Sequence, residues 1–179
     1  MYAFRTKDAA PLAVEAPHSE DDLHTGFLAE AFFLETRAVA VAWNTVPRDQ
    51  PVEGGARGAS GRAAADMAHL PDSVFLAFTR AFAAAHPGGV LVQLHGFAKA
   101  ERKTEAGALS DAILSCGTKS PPSWISAAAL CLKEQAGARI SVYPRDVSEL
   151  GATTNVHAKA LELARHGGFL HVEMCLELR

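Results

Sequence analysis

Short apolar runs alternate with amphipathic stretches along the whole chain. Residues 11–16 read as a short strand that Pro17 ends. Phe27, Leu28, Ala31 and Phe32 recur at helical spacing, which predicts an amphipathic helix over about residues 24–35. Residues 39–43 form a continuous apolar run with β-branched members, short enough for a buried strand. Residues 49–62 are Gly-rich and without period, so this stretch is expected to be the one mobile loop. A helix opens at Pro71-Asp72-Ser73, presents Phe75, Phe78 and Phe82 on one face, and stops at Pro87-Gly88-Gly89.

Residues 90–94 make the clearest strand, and residues 112–115 are a further apolar run. Ser120-Pro121-Pro122 opens a helix that carries Ile125, Ala128, Ala129 and Leu132 and closes at Gly137. A strand follows at 140–143. Asn155 caps a helix to about His166, and Gly167-Gly168 precedes the last strand, 169–173. Strands apolar on both faces, alternating with helices, predict an α/β domain over residues 1–179. Its architecture would be a three-layer α/β/α sandwich around a mostly parallel or mixed sheet.

Composition narrows the function. With 179 residues, 49% hydrophobic and 21% charged, the chain can build a packed core and is too apolar to be disordered. It contains no run of about 18 uncharged apolar residues, so no membrane span is expected. Seventeen Lys+Arg against twenty Asp+Glu give a net charge of −3, without the basic excess of a nucleic-acid binder. Cys116, Cys131 and Cys175 are too sparse for a disulfide framework and form no CxxC metal pair. Reduced thiols, together with a start that lacks a signal peptide's apolar segment, point to the cytoplasm.

In open α/β sheets ligands bind at the carboxyl ends of strands, and three such places carry reactive side chains. Pro17-His18-Ser19-Glu20-Asp21-Asp22 follows the first strand, His95 ends the central one, and Glu173 lies near the end of the last. His18 and Asp21, three residues apart on a turn, can reach one ion, with His95 as third ligand. Two imidazoles and a carboxylate leave zinc a fourth position for water, as catalytic sites require, and zinc brings the pKa of that water to about 7. Glu173, a charged residue inside an apolar strand, is the candidate to take the water proton and pass it to a leaving amine. Plainer readings stand beside these. Asp22 or Glu20 would be solvated loop acids, His95 a core histidine bonded to backbone, and Glu173 a partner of Arg179.

This arrangement of residues resembles the zinc carboxypeptidase-like hydrolases. Among them it is most similar to the small phage-type poly-γ-glutamate hydrolases and N-formylglutamate amidohydrolase-like proteins. The resemblance implies a zinc-exopeptidase-like (phosphorylase/hydrolase-like) fold, His18, Asp21 and His95 as Zn²⁺ ligands, and Glu173 as general base. It also implies hydrolysis of an amide bond in a small molecule or peptide that bears a carboxylate. Larger members hold that carboxylate with an adjacent Asn-Arg pair. Here Asn44 and Arg48 are four apart, and Arg48 would anchor the carboxylate or stabilise the oxyanion.

Asp66 and His69 form a second acid–imidazole pair that would bind substrate, orient a ligand histidine or cap a helix. Arg102 and Lys103 follow the His95 strand, where they would meet an anionic substrate or form a solvated cluster. The loop 150–155 resembles an anion cradle but lacks the nucleotide-binding glycine patterns. Two rival functions remain: a binding domain of the same fold that hydrolyses nothing, and a thiol hydrolase built on Cys116.

Overall fold

The computed structural model describes residues 1–50 and 63–179; residues 51–62, most of the expected 49–62 loop, lie outside them. The strands are β1 (Tyr2–Phe4), β2 (Ala10–Ala16), β3 (Ala38–Trp43), β4 (Val90–Gly96), β5 (Ala112–Ser115), β6 (Ile140–Val142) and β7 (Phe169–Met174). The helices are α1 (Thr25–Glu35), α2 (Val74–Ala85), α3 (Glu105–Leu109), α4 (Ser123–Ala136) and α5 (Val156–Leu163). The strands form one sheet in the order β1-β3-β2-β4-β7-β5-β6. β3, β2, β4 and β7 are mutually parallel, while β1 and β5 run antiparallel to β3 and β7. The sheet is therefore mixed.

Period-two alternation sorts the strand side chains into two layers. Val14, Val41, Val92, Leu94 and Val172 meet α1 and α4 on one face, through Ala29, Ile125 and Ala129. Ala13, Ala40, Leu91 and Phe169 meet Phe75, Phe78 and Phe82 of α2 and Leu161 of α5 on the other. The same parity that puts Leu91 on the α2/α5 face also puts Gln93 and His95 there. Likewise Ala13 is followed by Glu15, and Phe169 by His171 and Glu173. This face is apolar at its lower end and polar at the carboxyl ends of β2, β4 and β7. Burying those polar groups is tolerable only if each is hydrogen-bonded, and among the described residues no buried side-chain nitrogen or oxygen lacks a partner.

The chain leaves β2 for β3 on one side and then crosses back over β2 to β4 on the other. That reversal opens a crevice between the carboxyl ends of β2 and β4, where open α/β sheets place ligands.

Four elements differ from expectation. β1 is an edge strand of three residues, too short to register as a pattern, and α3 spans little more than one helical turn. α1 turns a different stripe to the sheet. Thr25 and Ala29 are buried with Leu28, Phe32 and Phe33 against the core, whereas Phe27 is 75% exposed. α5 stops at Leu163 rather than near His166.

Candidate active site

Pro17 ends β2, and the chain immediately makes a hydrogen-bonded turn in which the Asp21 and Asp22 N–H groups both donate to the His18 carbonyl, at 2.9 and 2.7 Å. Residues four apart on such a turn share a face. His18 and Asp22 are thus brought together, with Nδ1 of His18 3.8 Å from Asp22 Oδ2. Asp21 lies one step round the turn, and its carboxylate accepts from the Arg48 backbone N–H at 2.8 Å. The turn thus sets Asp22 beside His18, where Asp21 was expected. His95, arriving on β4, sets its Nδ1 3.2 Å from the same Asp22 Oδ2, and the two imidazole centroids are 5.0 Å apart.

The His18, Asp22 and His95 ligand atoms lie within 4.8 Å of one another, as do those of two overlapping groups, His18–Asp66–His69 and His95–His171–Glu173. His18 cannot serve both of its groups. Its Nε2 is 2.9 Å from Asp66 Oδ1, which His69 Nδ1 also approaches at 2.9 Å. A carboxylate only accepts, so Nε2–H of His18 donates to Asp66 and its Nδ1 lone pair faces Asp22. Burial alone would raise the Asp66 carboxyl, but the hydrogen bonds from His18 and His69 hold it well below its ordinary range. Carboxylate–imidazole pairs of this kind fix the tautomer and ring orientation of a histidine, as they do where histidines ligate metals. In chemistry and number, two imidazole nitrogens and one carboxylate fit a divalent transition metal with an open position toward solvent.

Burial pushes the His95 and His171 imidazoles well below their usual pKa, keeping them neutral and ready to ligate. Glu173 sits opposite His95 in the β4–β7 register and is buried. Burial, followed by the Asp22 charge, pushes its pKa up to about 8, against the pull of Arg102, Arg179 and Arg48. Arg179 is bonded to the carbonyls of Leu23 and Cys175 rather than paired with Glu173.

These groups form the floor of a cleft of about 620 Å³. The loop 150–154 makes one wall, and Arg48 and Arg102 stand at the rim. His69 reaches the cleft as well, its Nε2 3.3 Å from Thr154 Oγ1. Asn44 does not line it. Its amide donates to the carbonyls of Val46 and Ala65, at 2.9 and 3.1 Å, and so ties those two stretches of backbone together. Cys116 lies outside the cleft, 3.8 Å from the Thr118 hydroxyl.

Arg102 lies over the Phe97 ring at 5.4 Å and 3.5 Å from Glu149 Oε2. Glu149 also accepts from the Lys103 and Thr104 N–H groups and the Thr104 hydroxyl. Burial would raise its carboxyl, yet these hydrogen bonds lower it below the ordinary value. Its stabilisation is therefore complete above about pH 4.5 and is lost as pH falls through the folded value. Glu149→Ala is expected to cost about 1–3 kcal/mol in urea unfolding at pH 7. The gap from the unsubstituted protein should narrow as the pH is lowered below that range. A gap independent of pH would show that the carboxylate charge plays no part.

No protein-family model matches the chain, and no curated protein does. The crystal structure of an N-formylglutamate amidohydrolase from Ralstonia eutropha JMP134 does match, with a TM-score of 0.56. The match covers 98% of this chain and 84% of that one, at 14% identity. The two share a fold. In that amidohydrolase-like frame the cleft described above occupies the carboxyl edge of the parallel strands. No helix among the described residues is long and apolar enough to cross a membrane.

Sequence reasoning missed Asp22 as the shared acid, and with it His171, Gln93 and Glu15. The signal for the last three was present: each is a polar residue inside an otherwise apolar strand, in phase with His95 or Glu173.

Proposed function

We propose that this chain is a zinc-dependent hydrolase of amide or peptide bonds whose small substrates carry a carboxylate. The observation that carries this reading is the convergence of His18, His95 and Asp22 beside the buried Glu173, in a cleft rimmed by two guanidinium groups. A bound zinc ion would polarise the scissile carbonyl and acidify a water molecule. His18 and His95 present Nδ1 atoms and Asp22 a carboxylate to hold it, and Asp66 keeps the His18 ring oriented. Glu173 takes a proton from water and returns it to the leaving amine. Its raised pKa suits the second half of that cycle, because a carboxyl that holds its proton near neutrality is a competent acid. Arg48 and Arg102 receive the substrate carboxylate, for which a planar guanidinium offers two parallel donors. The fold shared with an N-formylglutamate amidohydrolase supports amide hydrolysis as the reaction class.

The test is turnover of an N-formylamino acid compared with its carboxamide. Hydrolysis of the free acid, abolished by chelation and restored by zinc, is the expected result. Arg102→Ala should raise KM for the free acid by about 10–100-fold, the loss of one charged hydrogen bond, and should leave the weak turnover of the carboxamide unchanged. Binding of the acid without turnover would favour the rival reading, a domain of this fold that binds carboxylate ligands and hydrolyses nothing.

A further inference from the structure

A buried chain of polar groups runs from the start of α5 to the candidate metal site, and its polarity can be followed atom by atom. Asn155 is the N-cap of α5, with its Oδ1 accepting from the backbone N–H groups of His157 and Ala158 at 2.9 and 3.3 Å. Backbone N–H groups only donate, so this end of the Asn155 amide must be oxygen, and the other end must be Nδ2. That Nδ2 lies 2.5 Å from Gln93 Oε1 and donates to it. At the opposite end of the same amide, Gln93 Nε2 donates to Glu15 Oε2 at 2.8 Å. The Gln93 amide is thus oriented twice over, by a donor on one side and a carboxyl acceptor on the other. All three residues are buried, Glu15 and Gln93 completely.

The consequence falls on His95. Its Nε2 is 3.1 Å from Gln93 Oε1, an atom that can only accept, so the ring proton resides on Nε2. The Nδ1 lone pair then points at Asp22 Oδ2, 3.2 Å away. Two acceptors held that close call for something positive between them.

We infer that Gln93 and Asn155 are positioning residues that lock His95 as its Nε2–H tautomer, so that Nδ1 is the atom offered to a cation shared with Asp22. Glu15 holds the far end of the lock. Its Oε1 accepts from the Thr79 hydroxyl at 2.6 Å, and His157 Nδ1 lies 3.3 Å from its Oε2, so the carboxyl is held in place from both sides. An α5 cap and a metal ligand 60 residues earlier in the chain are in this way parts of one hydrogen-bonded chain. The consequence for zinc rests on the reading above, but the tautomer itself does not.

The test reads the tautomer directly in metal-free protein at pH 7, by long-range proton–nitrogen correlation NMR on ¹⁵N-histidine-labelled samples, with His95 assigned from a His95→Gln sample. The expected result is Nε2–H in the native chain. Gln93→Met should mix the tautomers and weaken zinc binding by about 10–100-fold. Asn155→Ser, which keeps a cap acceptor but removes the Nδ2 donor, should shift both readouts in the same direction by less. A merely structural role would lower Tm in both variants and leave the tautomer unmoved. A proton on Nδ1 of His95 in the native chain would overturn the inference, as would a Gln93→Met protein with unchanged tautomer and zinc affinity. A native chain that takes up no zinc yet shows the Nε2–H tautomer, scrambled by Gln93→Met, would uphold the lock and defeat the zinc reading instead.

Discussion

Asp22→Ala should lower the affinity for zinc by about a hundredfold or more, while Asp21→Ala leaves it within a few-fold. The zinc affinities of protein sites amount to roughly 10–16 kcal/mol shared among a few ligands, so one ligand is worth about 3 kcal/mol, or two decades in Kd. The two aspartates are adjacent in sequence and alike in charge, and only the turn separates their roles. The Asp22 carboxylate stands 3.8 and 3.2 Å from the Nδ1 atoms of His18 and His95. The Asp21 carboxylate serves the Arg48 backbone N–H. Competition of each purified variant with a chromogenic chelator gives the affinities. Equal losses in the two variants would mean that the acids act through bulk charge, and a loss confined to Asp21→Ala would move the site by one residue.

Glu173→Gln should reduce kcat by about 10²–10⁴-fold, the range of a positioned proton carrier, with zinc content and KM close to native. In the proposed reaction Glu173 takes up and releases a proton, which an amide of the same shape cannot do. Protein stability separates this outcome from misfolding. Burial penalises the carboxylate and holds its pKa near 8, so a neutral amide at that position removes a charge the fold resists. Tm of the metal-free variant at pH 8 should therefore equal or exceed that of the unsubstituted protein. Full activity in Glu173→Gln would remove this residue from the chemistry, whatever its stability.

The layered architecture was largely legible because it depends on patterns the sequence displays openly. The runs at 39–43, 90–94 and 169–173 are short and mostly apolar, and Asn155, Ser73 and Gly137 mark helix ends by their own chemistry. His18 and His95 could be anticipated because each follows or ends such a run. Asp22 could not be separated from Asp21, since the choice depends on whether the chain after Pro17 closes a turn of four residues or three, and both acids suit either. Asn44 failed for a related reason. Its type and position suit a substrate contact, but its amide is bound to the carbonyls of Val46 and Ala65, and nothing local shows that those carbonyls need donors. Phe27 illustrates the same limit in the core. The helix has apolar residues on more than one face, and only the packing against β2 and β3 shows which stripe is buried. The buried polar residues were the most informative of the signals not used. Glu15, Gln93 and His171 interrupt apolar strands at the parity of the site, and a polar group in such a place must find partners.

The most direct measurement is zinc stoichiometry and ligation in the intact chain, read by elemental analysis and X-ray absorption after equilibration with one equivalent of the ion. One zinc per chain is expected, bound by two imidazole nitrogens and carboxylate oxygen, with the histidine contribution halved in His95→Ala. A chain that retains no stoichiometric zinc, or one whose bound zinc shows no loss of imidazole ligation in His95→Ala, would contradict the account.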